Sequence, residues 1–89
     1  MLCKIIKITD KLGADKIHDA EAVSRIGRII DDVDSVINVG GVGILACVFP
    51  NSGKSILTSK IKGITVDGKL TIIETQNSFY YLRDVEEVM

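Results

Sequence analysis

The chain has 89 residues, 46% of them hydrophobic and 26% charged, one proline and a net charge of −1. That composition describes one small globular domain and excludes a disordered chain, because apolar residues are plentiful and charge is low. Near-neutral charge also argues against strong non-specific binding to nucleic acid, which needs clustered Lys and Arg to displace counterions.

In chain order, Leu2 to Ile8 reads as a first strand, rich in isoleucine and closed by Thr9-Asp10. Asp10 to Ala22 is polar, with a thin apolar stripe (Leu12, Ile17, Val23). It reads either as a short helix within residues 14–22 or as a long surface loop with a helical turn. Ser24 to Ile30 is expected as a second strand with a bulge at Gly27, followed by an acidic turn at Asp31–Asp34 and a brief extended piece at Val36-Ile37. Gly40-Gly41 breaks the chain. The continuous apolar run Ile44–Phe49 predicts a central strand covered on both faces. Pro50-Asn51-Ser52-Gly53 ends it as a turn, and Ser55 to Ser59 starts the next strand.

The last third carries the clearest signal. Two β-branched runs, Ile61–Val66 and Lys69–Thr75, flank Asp67-Gly68, a hairpin signature that sets Val66 opposite Lys69. A second break at Gln76-Asn77-Ser78 leads into Phe79-Tyr80-Tyr81-Leu82, so the chain ends in an antiparallel meander. Five to seven short strands with hairpin connections predict an all-β, mainly antiparallel domain. A small bent barrel of SH3-like or OB-like type would hide the edges.

Thr75-Gln76-Asn77-Ser78-Phe79-Tyr80-Tyr81-Leu82, preceded by Leu57-Thr58-Ser59, resembles the ending of small uncharacterised bacterial β-rich proteins. In those a Thr-Ser step is followed by a hairpin and then by T-x-N-S-x-Y-x-L. The resemblance covers the last third only; it implies an all-β domain and no activity.

Motifs with chemistry are few. Gly53-Lys54-Ser55 has Val48 where a phosphate loop needs its first glycine, and it runs into strand-like sequence. Gly40-Gly41-Val42-Gly43 lacks dinucleotide-loop spacing. His18, the single histidine, has Asp15 and Asp19 nearby but no ligand set for zinc. Asp31–Asp34 lacks the length of an EF-hand loop. Cys3 and Cys47 fit small buried hydrophobes in a reducing compartment. No catalytic residues, metal site or cofactor are expected. No targeting segment or membrane span is expected either, because lysines interrupt the N-terminus and the stretch Val39–Phe49 is too short to cross a bilayer. A cytoplasmic protein follows.

Two surface features remain. Residues 51–73 hold Lys54, Lys60, Lys62 and Lys69 against Asp67 alone, while acidic residues gather in Asp10–Glu21, Asp31–Asp34 and Asp84–Glu87. The lysines either form a weakly positive face or guard an exposed strand edge. Strand alternation puts Tyr80 and Leu82 on one face and Phe79 and Tyr81 on the other, beside Arg83. If the first pair enters the core, the second is a contact surface, or else one of its two residues caps a barrel end or covers the Asp10–Ala22 loop. The expected function is a non-enzymatic binding or self-association module. Its surface would be Phe79, Tyr81 and Arg83 with Lys60 and Lys62, and its partner a protein or a second copy. A homodimer by edge-strand pairing is one form of this; weak binding of single-stranded nucleic acid (RNA) is the alternative.

Overall fold

A computed structural model of the protein describes residues 1–50 and 52–85. Six antiparallel strands follow one another and close into a barrel, β6 returning to pair with β1. They are β1 (Leu2–Thr9), β2 (Ile29–Val36), β3 (Val42–Phe49), β4 (Ser55–Asp67), β5 (Leu70–Thr75) and β6 (Phe79–Val85); one short helix, α1 (Ala20–Arg25), lies between β1 and β2. The small all-β barrel expected from the strand count is what forms. Asn51 of the expected Pro50–Gly53 turn, and Glu86 and Glu87 of the acidic end, lie outside the described residues.

Between β1 and β2 the expected boundaries shift. The helix occupies Ala20–Arg25 and not 14–22, because Asp19 is its N-cap: its carboxylate accepts from Glu21 N–H and Ala22 N–H. Glu21 and Arg25, one turn apart, form an ion pair at 2.7 Å. Upstream, Asp10 accepts from Leu12 N–H and Ala14 N–H, and Asp15 bridges to Thr9, so this stretch folds as a loop against β1. Ser24–Ile30 is not a strand: its first residues end α1, and β2 begins at Ile29.

Asp31–Asp34, expected as a turn, falls inside β2. Pairing with β3 jumps from Asp31↔Ala46 to Val36↔Ile44, so the acidic residues bulge from the ladder. Ser35 Oγ spans the gap, donating to Asp31 C=O at 2.7 Å and accepting from Ala46 N–H at 2.8 Å. A side chain thus replaces part of the backbone ladder, which is why the segment reads as irregular in sequence.

β4 is the strand that turns the barrel's corner. Its first half pairs with β3 as far as Val42↔Lys60, and its second half pairs with β5 from Ile61↔Thr75 onward. Bulges at Val42/Ile44 and Ile61/Gly63 supply the bend. Gly43 sits inside that bend, its N–H donating to Thr58 Oγ1 at 2.9 Å. The β4–β5 hairpin forms, but one residue out of the expected register. Asp67 faces Leu70 and Val66 faces Thr71, so the reversal is Gly68-Lys69. Gly68 has φ +60°, and a glycine first in a two-residue loop fits a II′-type reversal.

The core joins Cys3, Ile5, Ile8, Ile30, Leu45, Cys47, Ile56, Ile61, Ile73, Tyr80 and Leu82 from all six strands, with Ala22 of α1 closing one end. A bulge between Ile5 and Lys7 lets both Ile5 and Ile8 point inward while Ile6 and Lys7 face out. The T-x-N-S-x-Y-x-L segment is built into this framework. Thr75 Oγ1 accepts from Ser78 N–H at 3.0 Å across the β5–β6 turn, and Tyr80 and Leu82 are core. Thr58 of the Thr-Ser step holds Gly43 at the bend.

Two buried acids set the alkaline limit of stability. Burial pushes the Cys3 thiol from 9.0 to about 11, helped by its hydrogen bond to Asp84. Burial also raises the Tyr80 hydroxyl above 10.0, against the opposing pull of Arg25. Both groups are held neutral in the fold. The Cys3 contribution is therefore complete below pH 9.0 and is lost as pH rises through about 11, while that of Tyr80 is complete below 10.0 and is lost above it. Thermal melts should fall most steeply above about pH 9, with Cys3→Ala reducing the fall; a melting temperature constant to pH 11 would contradict this assignment.

Candidate interaction surface

The outer face of β1, β5 and β6 carries the aromatic residues singled out in the sequence. Tyr80 and Leu82 enter the core, and Phe79 and Tyr81 point outward, half-buried. Neither outward ring is bare. Lys11 Nζ lies 4.5 Å from the Phe79 ring centre and Lys7 Nζ 5.3 Å from that of Tyr81. Lys11 also bonds Glu74 and Thr75 C=O, and Lys7 pairs with Asp15 at 3.6 Å. The rings thus help hold Lys7 of β1 and Lys11 of the β1–α1 loop.

Arg83 is exposed in β6, opposite Lys4 on one side and Leu70 on the other. These residues line an open depression of about 680 Å³ together with Ile6, Lys69 and Asp84. Lys60 and Lys62 are exposed but stand on β4, with β5 between them and β6. The five expected surface residues therefore form two groups. Lys7 and Lys11 escaped sequence reading because only closure of β1 on β6 brings them to the rings.

A second surface was not anticipated. Ile44–Phe49 was expected to be covered on both faces, yet the chain covers one. Leu45 and Cys47 point into the core, while Val42, Ile44 and Val48 face out and are exposed, with Ala46 partly covered. Cross-strand register extends this stripe sideways: Val36 of β2, Ile44 of β3 and Leu57 of β4 lie in one row, 45%, 39% and 60% exposed. Asp31, Ser55 and Lys60 border it. An apolar centre with a polar rim is the anatomy of a protein contact surface.

At the barrel end beneath α1, Arg25 Nη1 donates to Tyr80 Oη at 2.6 Å. A polar cavity of about 190 Å³ opens beside this pair, lined by Lys16, Ser59, Asn77 and Ser78 among others. His18 is exposed just before α1. Among the described residues, no three His, Cys, Asp or Glu side chains converge to hold a metal, and no helix is long and apolar enough to cross a membrane. Comparison with protein-family models, with curated proteins and with solved structures finds no match to this chain.

Proposed function

We propose that this protein is a non-enzymatic interaction module whose working surface is the apolar outer face of β2, β3 and β4. The row Val36–Ile44–Leu57 carries the reading: three branched apolar side chains aligned across three strands, on a strand whose sequence is that of a two-sided core strand. Covering them with another protein surface, a second copy included, removes apolar area from water at roughly 25 cal/mol per Å². The two free, buried thiols, Cys3 and Cys47, suit a cytoplasmic setting.

The test is the double variant Ile44→Lys, Leu57→Lys. Both positions are exposed, so its melting temperature should match wild type, while binding to protein partners or self-association is lost. Native mass by light scattering and affinity capture compare the two proteins. Unchanged native mass together with an unchanged set of captured partners overturns the reading.

A second reading, weak binding of single-stranded nucleic acid, is favoured by the column of Lys7, Lys11 and Arg83 beside Tyr81 and Phe79. Its affinity for RNA would fall steeply with salt. Absence of any mobility shift at low salt removes it.

A further inference from the structure

The barrel is closed, yet one strand edge is open. β3 accompanies β4 only as far as Val42↔Lys60, and the last backbone bonds on that side join Ile61 to Gly40 and Gly41. Beyond this point, residues 62–67 pair with β5 alone, and among the described residues no strand lies along their other side. A two-residue reversal closes on a hydrogen-bonded pair, here Asp67 with Leu70. Alternation then turns the N–H and C=O of Thr65 toward β5 and those of Ile64 and Val66 away from it. Ile64 is 39% and Val66 69% exposed, so the open edge also shows branched apolar side chains.

From this we infer that residues 62–67 of β4 dock against the same segment of a second copy, as antiparallel strands about a two-fold axis at Thr65. The segment is complementary to itself. In this register Ile64 stands opposite Val66 of the second copy, and the reverse, so the outward N–H and C=O groups meet reciprocally. The exposed Ile64 and Val66 side chains cover one another across the pair. Charge fixes the direction. Lys60 and Lys62 lie at one end of the edge and Asp67 at the other. Antiparallel pairing brings each Asp67 opposite Gly63 of the second copy, next to its Lys62, whereas parallel pairing would set lysine against lysine. A protected edge normally carries inward charges or a bulge. Here the bulge lies at Ile61/Gly63, at the margin of the pairing stretch, and leaves Ile64–Val66 regular. The contact does not depend on what covers β3.

Two measurements test the dimer and its register. Native mass by light scattering should approach twice the 9.7 kDa chain mass as concentration rises. Thr65→Asp sets two carboxylates opposite each other on the axis and should return the mass to one copy, with the melting temperature unchanged at dilutions where wild type is also one copy. Thr65→Cys should form an intermolecular disulfide under mild oxidation, since residues of a non-hydrogen-bonded pair lie about 4.5 Å apart, within disulfide reach. Lys62→Cys should not cross-link. The native thiols, both buried, do not compete. A one-copy mass at millimolar concentration, or cross-linking no better at position 65 than at 62, overturns the proposal. So does a dimer that survives Thr65→Asp but is lost in Ile44→Lys, Leu57→Lys; that outcome assigns self-contact to the β3 face instead.

Discussion

Ile61→Ala is expected to lower the melting temperature by roughly 10–30 °C, a loss of about 2–5 kcal/mol. Ile61 is fully buried where β4 changes partner from β3 to β5, and its backbone also bonds Gly40 and Gly41. Truncation opens a cavity at a point held by three strands, so the walls cannot close over it. A domain of this size has only about 5–10 kcal/mol of total stability. Gly43→Ala approaches the same spot from the other side. A Cβ there would stand 2.6 Å from Thr58 Oγ1 and 2.9 Å from Ile61 Cδ1, closer than atoms pack. The expected loss is about 1–3 kcal/mol. Ile61→Val removes the Cδ1 that the added methyl would strike, so the double variant should be less destabilised than the sum of the singles. Strict additivity in urea melts would show that the two positions do not share this contact.

The meander of the last third was legible because its signals are local. Asp67-Gly68 marks the reversal, and the Tyr80/Leu82 alternation marks the inward face. The one-residue slip in the hairpin follows from where glycine sits in the turn, which the dipeptide alone does not specify. The barrel's closure was not legible as a pairing, because Leu2↔Val85 joins the two ends of the described chain. The covering of Phe79 and Tyr81 by Lys11 and Lys7 depends on that closure. β2 was misplaced for a different reason. Its ladder runs through Ser35 Oγ, and a strand stitched by a side chain carries no β-branched alternation. The α1 boundary was readable in principle: Asp19 stands at a capping position, and Glu21 and Arg25 have helical spacing. Ile44–Phe49 carries the sequence of a strand covered twice, while the chain covers it once. That mismatch between pattern and burial is what locates the candidate surface.

Tyr80→Ala should be the most damaging change at the helix end of the barrel, at about 3–5 kcal/mol, because it removes a buried ring and the acceptor for Arg25 together. The conservative changes separate the two effects. Tyr80→Phe keeps the ring and leaves Arg25 its ion pair with Glu21, so the cost should be about 1 kcal/mol. Arg25→Met leaves the Tyr80 hydroxyl without its partner and frees Glu21, and should cost about 1–3 kcal/mol. Ala22 is the α1 residue in the core cluster, so the Arg25–Tyr80 bond is the main polar tie between helix and barrel. Both conservative variants should therefore speed amide exchange in α1 more than in β3 or β4. Equal exchange in all three elements would mean that the helix is held by Ala22 and the chain connections alone. A Tyr80→Phe, Arg25→Met double variant no worse than Arg25→Met would show that the whole effect runs through this one hydrogen bond.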